Sequence, residues 1–123
     1  MPPDEKPVIW IGSSKKDIAK LPEEVRGDIG YVLHLVQHGE GHSSIKPLTG
    51  KDLGGVYEIR GDFDSDTYRA VYVVNLGDAI YMLHVFQKKS KRGKETPKPD
   101  MDVIRARLKR AKEEAGHERT RRH

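Results

Sequence analysis

The chain has 123 residues, 34% charged and 35% hydrophobic, which suits one folded domain more than a disordered chain. It lacks cysteine, which excludes disulfides, and its longest apolar run, residues 79–83, is far shorter than the roughly 20 residues that span a bilayer. The first residues are acidic where a secretion signal is cationic, so we expect a soluble cytoplasmic protein. Residues 1–87 carry a net charge of −4 and residues 88–123 one of +8, which favours either a polyanionic partner or a solvated tail.

The first half of the chain predicts a short strand followed by two helices. Residues 8–11 are β-prone and are followed by glycine, which is typical of a strand. A short helix is predicted over residues 15–21. Pro22 suits the first position of a longer helix that Gly39 ends. The apolar face of that helix consists of Val25, Ile29, Val32, Leu33 and Val36.

The second half predicts a polar connection, three strands and a final helix. Residues 39–55 are polar and glycine-rich, and the last helix starts near Asp100. The predicted strands cover residues 56–60, 68–76 and 79–86. The order βααβββα predicts an α+β fold of two layers, an antiparallel meander with helices on one face. We expect a single domain with an ordered core over residues 6–112 and a frayed basic tail over residues 113–123.

Two clusters have part of a metal-binding pattern. Asp62, Asp64 and Asp66 have the spacing that opens a calcium loop, but the glycine and glutamate that complete such a loop are missing. His34 and His38 lie one helical turn apart, but no third ligand is evident in the sequence. We therefore predict an acidic hairpin loop, no metal site and no cofactor.

Basic residues of the predicted sheet fall at one end of it. Arg60 ends the second strand, Arg69 begins the third, and Lys88 and Lys89 close the fourth. In a meander the end of one strand lies beside the start of the next, so these cations become neighbours. Such a group can bind RNA phosphates and stabilise the charge that develops during strand cleavage. The alternative is that they are ordinary solvent-facing strand ends.

Strict alternation adds an imidazole and an aromatic ring to this group. Alternation places four residues on one face of the fourth strand: Met82, His84, Phe86 and Lys88. If Leu83 and Val85 point into the core, this face is open, uncovered by helices, and shared with Arg60 and Arg69. An exposed Phe86 could then stack on an unpaired RNA base.

Several motifs together resemble the HigB-like, phage-related toxins of the RelE superfamily. They are KPLTGKDLGG at 46–55, YEIR at 57–60, YRAVY at 68–72 and LHVFQKKS at 83–90. The resemblance covers roughly residues 6–112 and implies a compact βααβββα toxin of a type II toxin–antitoxin system. Such a toxin cuts messenger RNA on the ribosome. Its partner would be an antitoxin, which commonly carries a helix-turn-helix domain. The toxin would contact operator DNA only indirectly, through this antitoxin.

The resemblance also implies which residues form the site. Arg69 matches the active-site arginine, Arg60 a frequent basic position, and Lys88 or Lys89 the basic position after the fourth strand. It implies RNA contacts from Lys46 and Lys51, and the basic C-terminal segment adds as candidate RNA contacts Lys91, Arg92 and Lys94. The general base stays open between His84 and a lysine of lowered pKa, because the stretch SKRGKETP lacks the tyrosine or histidine pair that several RelE-type toxins carry there.

The implied mechanism is attack of the RNA 2′-hydroxyl on the neighbouring phosphate, which needs no metal. Arg69 and Arg60 would hold the phosphate, and a lysine would supply charge or a proton. The alternative reading of the same residues is a non-catalytic module that binds nucleic acid or an antitoxin, as a degenerate toxin would.

Overall fold

The computed structural model describes residues 5–88 and 95–122, with residues 118–122 as backbone only. In chain order the elements are β1 (Val8–Trp10), α1 (Ser14–Ala19), α2 (Glu23–Gln37), β2 (Ile45–Pro47), β3 (Val56–Phe63), β4 (Asp66–Val73), β5 (Ile80–Lys88) and α3 (Lys98–Arg122). The α+β class is confirmed. The short strand β2 is an addition, because it lies in the connection that the sequence predicts as irregular.

The strands form one sheet in the order β1-β5-β4-β3-β2. β2 to β5 each pair antiparallel with the strand next to them in the chain, which confirms the meander. β1 pairs parallel with β5 at the far edge, with Val8 opposite Ile80 and Trp10 opposite Met82. Parallel strands cannot be joined by a tight turn. Here the chain between β1 and β5 forms α1, α2 and the other three strands.

Helices cover both faces of the sheet. α1 and α2 pack on one face, where Val25 belongs to a buried cluster with Ala70 and Tyr72. α3 packs on the other face, where Ile104 belongs to a second cluster with Val71. The expectation of helices on one face is wrong, because consecutive β4 residues are apolar toward both sides and each apolar face needs a cover.

An extra residue in β5 changes which of its side chains share a face. Val71 pairs with His84 and the next β4 residue, Tyr72, pairs with Met82, so Leu83 forms a bulge. Leu83 and His84 both lie on the α3 side, whereas Met82 packs with α1 and α2. Strict alternation, which put Met82 and His84 on one face, is therefore wrong at this point.

α3 is longer than the sequence predicts. Its buried residues recur at helical spacing as far as Ala115, so the packed core extends beyond residue 112. Across residues 5–88 and 95–122, no helix combines the length and the apolar character that crossing a membrane requires.

Gly61 lets α2 approach β3, since a Cβ there would lie 3.1 Å from Val25 Cγ1 and 3.3 Å from Ile29 Cδ1. We expect Gly61→Val to lower the free energy of unfolding by about 1–3 kcal/mol through overpacking. Gly30→Ala is the control on the solvent side of α2, where an added Cβ meets nothing within 4 Å. It should raise the free energy of unfolding by about 1 kcal/mol. Urea unfolding measures both, and a stabilised Gly61→Val protein would contradict the close approach.

Candidate active site

The buried charged residues of the described chain lie on three adjacent strands, on the face of the sheet that α3 covers. They are Glu58 on β3, Arg69 on β4 and Lys88 at the end of β5, which are 3%, 5% and 7% exposed. The register sets Arg60 opposite Arg69 and Lys88 opposite Thr67. The meander makes Arg60 and Arg69 neighbours, as the sequence predicts. The expectation that Arg60 ends its strand and Arg69 begins the next is wrong, because β3 continues to Phe63 and β4 already starts at Asp66.

The Glu58 carboxylate holds two arginines through one of its oxygens. Oε1 accepts hydrogen bonds from Arg69 Nη1 at 2.5 Å and from Arg60 Nε at 3.1 Å. Glu58 Oε2 and Arg69 Nε are both buried without a hydrogen-bond partner among the described residues. Buried polar atoms are rarely left unpaired, so these two atoms mark a place that a ligand can complete.

Burial also alters the acidity of two cations in this group. It lowers the pKa of Arg69, a shift that the charge of Glu58 opposes and the charge of Arg60 increases. It lowers the pKa of Lys88 too, and there the charges of Arg69 and Arg60 act in the same direction. A lysine of lowered pKa releases its proton more readily, which a general acid requires near neutral pH.

An open pocket of about 400 Å³ lies beside the buried charges, between the β2–β3 edge and the start of α3. Its lining consists of Pro47, Leu48, Thr49, Glu58, Arg60, Glu95, Thr96 and Met101. Lys46 pairs with Glu58 across β2 and β3, so it shares this face of the sheet while remaining exposed. The pocket therefore gives a ligand access to Glu58 and Arg60 from solvent.

His84 and Phe86 lie on the same face but beneath α3. Their rings stack with centroids 4.7 Å apart, and His84 Nε2 is 2.9 Å from Asp100 Oδ1 in the first turn of α3. Phe86 is 9% exposed and belongs to the core cluster under α3. The expectation of a face uncovered by helices, with Phe86 free to stack on a base, is therefore wrong.

The remaining predicted site residues are only partly located. Lys51 is exposed in the loop between β2 and β3, outside the lining of the pocket described above. The other predicted basic residues lie outside the described residues: Lys89, Lys91, Arg92 and Lys94. Glu58 is a site residue that the sequence reasoning missed, although its spacing of two from Arg60 already placed both on one strand face.

The comparisons with known proteins agree with the motifs. The family model described as "Phage derived protein Gp49-like (DUF891)" matches residues 16–109. The chain therefore belongs to this Gp49-like, phage-derived family, a family of RelE/HigB-type toxins, and the resemblance inferred from the sequence is confirmed.

Among the solved structures that match the chain is the crystal structure of the toxin–antitoxin complex RelBE2 from Mycobacterium tuberculosis, with a TM-score of 0.49 and 20% sequence identity. The similarity covers 70% of this chain and 94% of that chain. No curated protein matches the chain in sequence.

Lys88→Met tests the effect of burying this cation. The folded-state pKa of Lys88 lies below its ordinary value of 10.5, so the unfolded chain binds this proton more tightly. Protonated Lys88 therefore opposes folding at neutral pH, and this penalty is lost as pH rises through the folded-state pKa. We expect Lys88→Met to raise the free energy of unfolding at about pH 7, with a gain that shrinks toward about pH 10.5.

Urea unfolding at several pH values measures this gain. Lys112→Met, which removes an exposed cation of α3, serves as the control for the loss of one charge. A Lys88→Met protein that is less stable than the original at every pH would contradict the prediction.

Proposed function

We propose that the protein is a metal-independent endoribonuclease that cuts messenger RNA on the ribosome and so inhibits translation. The observation that carries the proposal is the gathering of two buried cations and one buried carboxylate, all that the described chain contains, beside an open pocket. Among them, Arg69 Nε is a buried donor that no described residue accepts, which is unfavourable unless an anion binds it. An RNA phosphate is such an anion, and membership of a RelE/HigB-type family supports this choice.

Arg69 would bind the scissile phosphate and stabilise the charge that develops on it. A planar guanidinium can hold two phosphate oxygens at once and keeps its charge at any relevant pH. Arg69 still has a buried N–H, at Nε, that no described residue accepts. Arg60 shares the Glu58 oxygen with Arg69 and has a side chain that is 30% exposed, so it would hold the same phosphate from the solvent side.

Glu58 and Lys88 suit the two proton transfers of the reaction. Glu58 would take the proton of the 2′-hydroxyl while the 2′-oxygen forms its bond to phosphorus. Lys88 would donate a proton to the 5′-oxygen while the bond between phosphorus and that oxygen breaks. The products are a 2′,3′-cyclic phosphate and a free 5′-hydroxyl, so atoms and charge balance without a metal.

Two observations support this division of roles. Glu58 Oε2 has no partner in the described part of the chain and can accept a proton, whereas Oε1 is occupied by the arginines. The lowered pKa of Lys88 favours proton release. His84 also has an unpaired ring nitrogen among the described residues, Nδ1, but it ranks behind Glu58 as the base because its Nε2 already bonds Asp100 and it does not line the pocket.

We further propose that the ribosome presents the RNA and that an antitoxin neutralises the chain. Exposed Lys46, opposite Glu58, would contact a phosphate next to the scissile one. Lys51, with the basic residues 89, 91, 92 and 94, would extend this contact along the RNA. The antitoxin is expected to carry a helix-turn-helix domain, as the family resemblance implies.

Expression of the chain alone should arrest growth and fragment messenger RNA, and co-expression of an adjacent antitoxin gene should restore both. Arg69→Ala should abolish the arrest, because the loss of one electrostatic stabiliser typically costs on the order of 10² to 10³ in rate. Arg110→Ala is the matched control, since it removes an exposed arginine that pairs with Glu114 on α3. Growth curves and RNA integrity measure the effects. Normal growth with folded wild-type protein and intact RNA would leave only a non-catalytic binding module.

Cleavage on programmed ribosomes separates the two candidate bases. Glu58→Gln keeps the shape of the side chain and an oxygen for the arginines but removes the base, so we expect a loss of about 10² to 10⁴ in cleavage rate. His84→Ala should cost less than about 10-fold, because His84 would act only through packing. Thermal melting confirms that each variant is folded. The opposite order of effects would assign the base to His84.

A further inference from the structure

The bulge in β5 decides which residues face the buried charges. With the bulge at Leu83, the paired residues Arg69 and Phe86, and Thr67 and Lys88, share the α3 face. Side chains alternate along a strand, so without this extra residue everything after it would turn to the opposite face. Val85 and Gln87 would then face α3, and Lys88 would be turned away from Arg69.

The carbonyls around the bulge are held by groups from outside the β4–β5 ladder. Met82 O accepts the backbone N–H of Ile11 at 2.9 Å and the hydroxyl of Ser14 at 3.2 Å. Leu83 O accepts a hydrogen bond from Arg107 Nη1 of α3 at 2.9 Å. Arg107 Nη2 also donates to Ser13 Oγ at 3.0 Å, so one guanidinium joins the bulge to the loop before α1.

The loop before α1 leaves room for this guanidinium. Gly12 has a φ of +58°, and a Cβ at this position would lie 2.7 Å from Arg107 Nε. Any other residue at position 12 would therefore displace Arg107 and would also be strained in its backbone. Gly12, which is far from Arg107 in the sequence, therefore leaves the space that the Arg107 side chain occupies.

We propose that Arg107 is a positioning residue for the cleavage reaction. By holding the Leu83 carbonyl it fixes the bulge, and the bulge fixes the face and register of Lys88 and His84 against Arg69. This inference rests on the proposed function, since its kinetic consequence requires that the chain cleaves RNA. The Arg107 guanidinium donates to Leu83 O and Ser13 Oγ, so it acts through β5 and not on the substrate.

The test is Arg107→Ala, compared with Arg110→Ala as the control for the loss of one arginine from α3. Misplacement of a catalytic group by about 1 Å can cost up to about 10²-fold in rate. We expect kcat for cleavage on programmed ribosomes to fall about 10- to 100-fold in Arg107→Ala. KM should change little, because Arg60 and Arg69 on β3 and β4 still bind the phosphate. Wild-type kcat in folded Arg107→Ala would overturn the proposal.

Arg107→Lys keeps the inference testable if Arg107→Ala does not fold. Lysine retains the charge and can reach one acceptor, but it cannot join Leu83 O and Ser13 Oγ with the fork of a guanidinium. If Arg107→Ala folds, a kcat of Arg107→Lys between those of Arg107→Ala and wild type supports positioning. If Arg107→Ala does not fold, a kcat of Arg107→Lys about 10-fold below wild type supports it. Full activity in Arg107→Lys together with unchanged His84 resonances would overturn it.

The NMR signals of the His84 ring nitrogens distinguish failure of this inference from failure of the proposed function. His84 follows the bulge directly and bonds Asp100, so its resonances should shift in Arg107→Ala and stay in place in Arg110→Ala. If the wild-type protein does not cleave RNA, the proposed function fails while these signals still test the positioning. Unchanged His84 signals in Arg107→Ala would then overturn the positioning by itself.

Discussion

A sheet that is apolar on both faces requires a cover on both sides, and much of this structure follows from that constraint. α1 and α2 satisfy it on one face and α3 on the other. α3 therefore lies on the face that also carries the charged residues, and its first turn contacts His84. The buried charges lie on this face, beside the pocket between the β2–β3 edge and the start of α3.

Glu58 stabilises the buried Arg69 and its neighbour Arg60 through hydrogen bonds to both guanidinium groups. Removal of a cation from water is costly, and a carboxylate that accepts two guanidinium hydrogen bonds offsets part of that cost. In the proposed reaction a phosphate would accept hydrogen bonds from the same two arginines, so Glu58 would serve as their anion until RNA binds. Release from the arginines would also leave its carboxylate available as a base, which links substrate binding to activation of the 2′-hydroxyl.

Much of the site could be predicted from the sequence because it depends on local patterns. Arg60 and Arg69 flank a hairpin, so alternation and a meander are sufficient to make them neighbours. Lys88 follows from the next hairpin by the same argument. Glu58 shares a strand face with Arg60 and was equally predictable, but a search for phosphate-binding residues follows positive charges and passes over a carboxylate. The bulge at Leu83 was not predictable, because no glycine or proline marks it in LHVFQ.

The sequence by itself determined the types and order of most elements, the helical and strand periodicities, and the pairing of Arg60 with Arg69. These depend on residues a few positions apart, whose geometry the backbone fixes. Only the tertiary structure decided that α3 covers the charged face, that Glu58 Oε2 has no partner among the described residues, and that Arg107 bonds the carbonyl of the bulge. Arg107 meets Leu83 and Ser13 across 24 and 94 residues of chain. Contacts over such separations arise from packing of the whole core and leave no periodic pattern in the sequence.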